Sequence, residues 1–388
     1  MRADLFDQET GQLAGSSSDS VSVENDLYHG DWDNFVGSVP GGDMTQTSLW
    51  TRLKRASGMR THRVVLRIDG VIAGGAQLLA RPVPVLGAVA YLPYGPLARP
   101  GLDDGIMTRL VQLLCAECRR SRIRALFVQP PEGGERIANA LRVARFRPAD
   151  TEVAPPASLR LDLRLGTEDL VAQMTKHKRA EFRRGQRDPV SVRFGTRADL
   201  ESFHDLHSIS AARKGYEPTP LPYLKAMWDE LHPTDQVAVL VASTEDIDVS
   251  GVLVTRYADV VTDRLRGFAV DRVPRRMRPN DALTWAAIDW SRARGARWYD
   301  LGGIGRADAL AIARGATDAS ADTSTRPDSY KVALGGTPVI YPAALELVPN
   351  PFLRAGYVTL RGSAMTRRIS KAMQVRGRAA SGTSRDSA

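Results

Sequence analysis

Twice along this 388-residue chain, a run of alternating apolar segments feeds an amphipathic helix, and the helix feeds one more short apolar segment. In the first half, residues 62–68 and 71–79 alternate and are separated by Asp69-Gly70, a pair that strongly specifies a two-residue hairpin. A third strand is predicted over 88–92, ending in Pro93-Tyr94-Gly95-Pro96; a helix over 104–119, a strand over 125–129 and a helix over 135–143 follow. After Pro155-Pro156 the theme recurs, with helices predicted over 167–184, 197–212 and 222–231 and strands over 237–242, 249–257 and 262–270. A helix over 281–294 and a strand over 297–301 close it. The halves do not align at a fixed period, so the pattern predicts a duplicated α+β unit rather than a repeat array. On this reading 1–22 is a disordered Ser/Gly/Asp-rich segment, 23–155 the first domain, 156–345 the second, and 346–388 a basic C-terminal helix and tail.

Charge narrows the partners. The chain has 53 basic and 44 acidic residues, a formal charge of +9, which favours nucleic acid, phosphorylated substrates or an anionic membrane surface. Beyond Glu346 there are eight basic residues against Asp386 alone. Cys115 and Cys118 are spaced as C-x-x-C, but they lie on the predicted 104–119 helix with no second pair, so they read as two reduced, half-buried thiols. His29, His62, His177, His204, His207 and His232 form no metal-ligand pattern. The first residues lack the charged and apolar regions of a secretory signal, and no apolar run is long enough to span a bilayer, so a cytoplasmic location is expected.

Four segments carry a family resemblance. They are Gln46-x-x-x-Trp50-x-x-x-Lys54; Tyr91-x-Pro93-x-Gly95-Pro96; Lys176-x-Lys178-Arg179-x-x-Phe182-Arg183-Arg184; and Arg278-Pro279-Asn280-x-x-Leu283-x-Trp285. The last continues into Gly295-x-x-x-Tyr299-Asp300-Leu301-Gly302-Gly303 and Tyr330-Lys331-x-x-x-Gly335-Gly336. In order and spacing, over about residues 45–345, they resemble the FemABX family, which extends peptides with amino acids taken from aminoacyl-tRNA. The resemblance implies two tandem GNAT-like (acyl-CoA N-acyltransferase-like) domains facing a shared cleft, with the C-terminal segment packed back on the first. It also implies aminoacyl-tRNA as co-substrate, an amine-bearing acceptor such as a muropeptide, and no cofactor. Independently, the turn Arg275-Arg276-Met277-Arg278-Pro279-Asn280 lacks the glycines a coenzyme A pyrophosphate site needs, and its proline removes a backbone donor.

The chemistry is attack of an amine on an already activated ester, which asks for positioning, a proton acceptor and oxyanion stabilisation. By resemblance Lys331 is the catalytic cation; without that match it would read as a surface lysine. Asp300, at a predicted strand end before Gly302-Gly303, is either a proton relay or a cap that shapes the loop. Lys54 matches the family lysine set against acceptor phosphates or is a solvated lysine on a short helix, and Trp50, one helical turn before it, reads as core ahead of substrate contact. Tyr94, Gly95, Tyr216, Phe268, Gly302, Gly303 and Tyr330 complete the expected substrate contacts. Lys176, Lys178, Arg179, Arg183 and Arg184 have the charge to meet tRNA phosphates, as would any solvated helix face.

The chain departs from the family on the acceptor side. Thr219 stands where members acting on nucleotide-linked precursors carry an arginine, and Gly267-Phe268-Ala269-Val270 lacks their tyrosine and serine. The stretch 305–328 has no apolar period and reads as a long mobile loop. The acceptor is therefore either a peptidoglycan precursor or a small peptide, nucleoside or amino sugar. The alternatives are a coenzyme A-dependent N-acyltransferase and a non-catalytic RNA-binding module.

Overall fold

The computed structural model describes residues 21–22, 30–83, 87–149, 154–185, 190–273, 277–315 and 329–360. It opens with β1 (Val21–Ser22), α1 (Gly30–Ser38) and α2 (Ser48–Ala56). Asp69 and Gly70 both take left-handed angles, φ 50° and 78°, and so join β2 (Arg60–Ile68) to β3 (Val71–Val83) in a tight hairpin. The first domain continues with β4 (Gly87–Leu92), β5 (Leu97–Ala98), α3 (Asp104–Arg120), β6 (Ile123–Val128), α4 (Glu135–Val143) and β7 (Arg147–Pro148). Asp103 starts α3 by accepting a hydrogen bond from the Ile106 amide at 2.8 Å.

The second domain runs β8 (Ala157–Asp162), α5 (Thr167–Gln173), α6 (Lys176–Gly185), β9 (Ser191–Phe194), α7 (Leu200–Lys214) and α8 (Leu221–Leu231). There follow β10 (Val237–Thr244), β11 (Ile247–Tyr257), β12 (Val260–Phe268), α9 (Pro279–Ala293) and β13 (Trp298–Ile304). The chain ends its described part with α10 (Arg306–Ala313), α11 (Ser329–Leu334), β14 (Thr337–Ile340), β15 (Leu345–Leu347) and α12 (Pro351–Leu360). Two sheets result: β1-β2-β3-β4-β6-β15-β7, with β5 on β3, and β14-β8-β13-β12-β11-β10-β9. Each has one parallel pair joined by a helix, β4 with β6 and β12 with β13.

The α+β prediction and its two related domains hold, with local corrections. Val21 and Ser22 pair with Leu66 and Val65 as an edge strand, so order reaches into the segment expected to be disordered; residues 1–20 lie outside the described set. The single helix expected over 167–184 is split, because Met174 turns into the core in an extended conformation and the Thr175 amide donates to Ala333 O. The expected loop after Leu301 is instead the end of β13, and 306–313 is helical; 316–328 lies outside the described residues. Leu345-Glu346-Leu347 alternates in and out of the first sheet, so the expected C-terminal helix starts only at Pro351. Its continuation past Leu360 is outside the described residues.

The domains share a core. Trp50, Leu53, Met59 and Tyr91 of the first pack with Phe203, Tyr223, Leu224, Met227 and Trp228 of the second. Burying these apolar faces against each other fixes α2 on α8 and leaves a cavity at the edge of the contact.

Candidate active site

That cavity, about 270 Å³, is lined from the first domain by Trp50, Lys54, Tyr91 and Tyr94. From the second come Arg160, Asp263, Arg264, Asp300, Gly302 and Gly303. Two strand irregularities meet there. In β12 the partners Leu265↔Leu253 and Asp263↔Val254 leave Arg264 as an extra residue. In β13 the partners Asp300↔Arg160 and Gly303↔Ser158 leave one residue too many between them. Bulges re-aim side chains and end pairing, and here they put Asp263, Arg264, Asp300, Gly302 and Gly303 on one wall.

Beyond Thr262 and Asp300 the parallel strands β12 and β13 no longer pair. α11 lies against this gap, and Lys331 Nζ donates to Gly303 O at 2.6 Å. Gly302 has φ 81°, and a Cβ there would sit 3.4 Å from Lys331 Nζ and 2.9 Å from Asp263 O. The glycine pair therefore lets backbone and ammonium approach where a side chain would intrude. Tyr330 fastens α11 to the start of α9: its hydroxyl lies 3.0 Å from Asn280 O, 2.9 Å from Thr284 Oγ1 and 3.1 Å from Asp281 Oδ1. Burial holds its pKa well above the ordinary phenol range.

Asp300 shapes the bulge. Oδ1 accepts from the Gly302 amide at 2.8 Å, and Oδ2 accepts from Ser158 Oγ at 2.9 Å and Arg160 Nε at 3.1 Å. Of the two roles read for it, these bonds favour fixing the glycine turn over relaying a proton. Arg160 also donates to Glu132 at 2.7 Å and so ties the domains together. Burial works against the Arg160 charge, but Tyr341, Asp300 and Glu132 raise its pKa overall. Asp263 is raised by burial, against the opposing pull of Arg266, to which it is hydrogen-bonded at 2.6 Å.

Across the cavity Lys54 is 5% exposed, with Nζ 5.0 Å from the Trp50 ring centre and 4.9 Å from that of Tyr223. Burial works against its charge, yet Tyr223 and Tyr91 prevail and keep its pKa above that of an ordinary lysine. Arg264 lies on the same indole, its guanidinium 5.4 Å from the centre, bonded among the described residues only to Thr255 Oγ1 at 3.2–3.3 Å. Neither cation forms an ion pair with a described carboxylate. Trp50 Nε1 is buried without a hydrogen-bond partner among the described residues. Two cations and the Trp50 indole thus border one space, an arrangement suited to an anion.

The structure gathers Trp50, Lys54, Tyr94, Asp300, Gly302 and Gly303 on the cavity wall, with Lys331 and Tyr330 in the adjoining gap. Gly95 lies behind the wall, its amide donating to Gln129 O at 3.0 Å, with Gln46 bracing Pro93 O at 2.7 Å. Tyr216 and Phe268 are elsewhere, around α7, near His207 and Arg213 respectively, and do not line the cavity. In α6, Lys176, Arg183 and Arg184 are exposed as expected of a nucleic-acid face. Lys178 is not: it is 5% exposed, with Nζ 2.5 Å from Asp281 Oδ1, because the helix turns this position inward onto α9. Arg179 donates to the carbonyls of Ala172 and Met174 at 2.9 and 2.5 Å, capping the end of α5. Sequence reasoning missed Asp263, Arg264, Arg160 and Tyr341. The charged run Asp263-Arg264-Leu265-Arg266 was the available signal for two of them. Among the described residues there is no cluster that could hold a metal ion.

Residues 172–310 match the profile of the acetyltransferase (GNAT) domain. With the recurring strand–helix–strand units, this makes the chain a tandem GNAT-fold protein. It is 22% identical over 224 residues to the lipid II:glycine glycyltransferase of Staphylococcus haemolyticus, covering 55% of this chain and 53% of that protein. Against the Staphylococcus aureus protein of the same name it is 22% identical over 211 residues, 52% and 50% of each. The chain spans about half the length of these curated relatives. The crystal structure of FemX superposes with a TM-score of 0.69 at 16% identity, over 84% of this chain and 98% of that one. A tandem GNAT protein from the clavulanic acid biosynthesis pathway follows at 0.52 and 12%, over 87% and 99%. The motif resemblance to the FemABX family is borne out by these matches.

Proposed function

We propose that this chain is an aminoacyltransferase that moves an amino acid from aminoacyl-tRNA to the amino group of a peptide-bearing acceptor, forming an amide. The observation that carries the reading is Lys331, an ammonium held at the open ends of a parallel strand pair, beside a cavity built by both domains. Open ends of parallel strands are where α/β sheets place their chemistry. The acceptor nitrogen attacks the ester carbonyl carbon; the carbon–oxygen bond to the ribose breaks as the amide forms. The amine proton ends on the departing ribose oxygen. Lys331 stabilises the negative charge that develops on oxygen during this exchange, and the bulge held by Asp300 sets where that oxygen sits.

Lys54 and Arg264 supply the acceptor side, where an anionic group of the acceptor would meet two cations beside the Trp50 indole. The relatives named for lipid II support a peptidoglycan precursor as acceptor. Exposed Lys176, Arg183 and Arg184 support tRNA as donor. α9 starts at Pro279, which offers no amide to a pyrophosphate, and this supports a reaction without coenzyme A.

The test incubates the protein with total charged tRNA and a panel of amine acceptors, read by mass spectrometry. Transfer that RNase abolishes is expected. Undiminished acyl transfer from acetyl-CoA by nuclease-treated protein would overturn the reading.

A further inference from the structure

A second cavity lies far from this chemistry in the fold, on the first domain. About 820 Å³ in volume, it is bounded by the end of α3, by β6, β15 and β7, and by the first turn of α12. Its floor is apolar: Cys118, Ile123, Leu126, Leu347, Val348 and Pro349. Its rim carries Arg119, Arg145, Arg147 and Arg354. Arg145 and Arg147 are exposed and form no ion pair with a described residue. Glu346, the one carboxylate among the described lining residues, is buried and lies 3.6 Å from Arg354, which tethers α12 to the sheet.

Two large apolar side chains project beside this rim. Val143 is 78% exposed and Phe352 85%. Apolar groups that large gain nothing from water, and a ring of arginines beside them is the composition of an interfacial anchor. The sequence past Leu360 adds seven basic residues against Asp386 alone, leaving from the same helix. Among the described residues no helix is long and apolar enough to cross a membrane, so contact would be peripheral.

We infer that this face docks on an anionic phospholipid surface, with Phe352 and Val143 entering the interface and the arginines meeting lipid phosphates. RNA is the competing partner for a basic patch, but the floor is aliphatic and Phe352 is the one exposed ring among the described residues beside it, whereas single-stranded recognition stacks successive bases on several rings. The inference does not rest on the transfer chemistry proposed above.

Sedimentation of the full chain with phosphatidylcholine vesicles, with and without phosphatidylglycerol, tests it. Binding to the anionic vesicles alone is expected, weakening as salt rises. Arg145→Ala with Arg147→Ala should lower that affinity about 30-fold, from roughly five-fold per basic residue at an anionic surface. Phe352→Ala should weaken it too, with melting temperature, tRNA affinity and transfer to a soluble acceptor unchanged. No binding by the wild-type chain, or variants that bind like it, would overturn the inference. So would an arginine variant that loses tRNA affinity and keeps vesicle affinity. Vesicle binding without any aminoacyl transfer would instead count against the proposed activity alone.

Discussion

The Lys331 ammonium donates to the carbonyl of Gly303 at 2.6 Å, across the gap where β12 and β13 stop pairing. This one bond ties the cation of a short helix to the strand bulge that faces the cavity, so the charge is in place before substrate arrives. A charge already oriented spends nothing on reorganisation during reaction, and removing one such donor costs roughly 100- to 1,000-fold in turnover. Lys331→Met is expected to lose turnover on that scale in single-turnover transfer assays, with tRNA affinity unchanged. Lys331→Arg should recover only part, since a planar fork does not replace a compact ammonium.

Gly302→Ala tests the bulge without removing a charge. Its φ of 81° is a left-handed angle, and the new Cβ would lie 2.9 Å from Asp263 O. A stability loss of about 1–2 kcal/mol from the backbone angle alone is expected in thermal or denaturant unfolding. Turnover should fall more than stability does, because the shift moves Gly303 O and with it Lys331.

Lys54→Met and Arg264→Met should act on the acceptor. A charge-assisted hydrogen bond contributes about 1.5–3 kcal/mol, so each variant should raise the acceptor KM roughly 10- to 100-fold while kcat stays near wild type. A fall in kcat at constant KM would move these residues from binding to chemistry. An uncharged acceptor should be indifferent to both changes.

Within α6, neighbouring basic residues should behave oppositely. Replacing exposed Arg183 and Arg184 with Ala should weaken tRNA binding and reduce its salt slope by about one per lost phosphate contact. Lys178→Ala should leave that slope alone and cost stability of about 3–5 kcal/mol, because it strands the buried Asp281 carboxylate without its cation.

Glu117 sets an acid limit on the first domain. Its burial favours the neutral acid, but His62, Ser121 and Arg120 bond to the carboxylate and pull its pKa from 4.5 to about 2. A carboxyl depressed on folding stabilises the native state above its unfolded pKa and loses that contribution as pH falls through its folded one. Stability should therefore drop between about pH 4.5 and pH 2, and Glu117→Gln should flatten this part of the curve in acid titrations followed by circular dichroism.

The regular parts of both domains were legible from local pattern. Asp69-Gly70 specified its hairpin, and the 135–143 helix lies where apolar spacing put it. Gly302-Gly303 was not legible as strand, since glycine has no side chain to alternate, and pairing of β13 with β8 decides it. The Ala-rich 306–313 segment has too few large apolar residues to show a helical period, though Ala itself favours helix. For the site, motifs found Lys54, Asp300 and Lys331 but not their roles. Asp300 reads equally as a relay or as a cap until Ser158 and Arg160, distant in sequence, are seen to occupy it. Arg264 carries no motif because its direction depends on a bulge, set by strand register rather than by neighbours in the chain. Lys178 shows the reverse: a basic run predicts charge, and only the docking of α6 on α9 says which member faces inward.

The short strand β15 carries a consequence for how the molecule is held together. It sits between β6 and β7, so the first sheet is completed only after the whole second domain has been synthesised. The second domain is topologically an insertion, pinned at both ends by one sheet. A cut near Pro155 would leave the amino-terminal piece with Phe127 and Arg147 on either side of an empty strand position rather than with a closed edge. The two GNAT units of this chain are thus alike in plan but not separable in practice, and the cavity between them belongs to a single cooperative body.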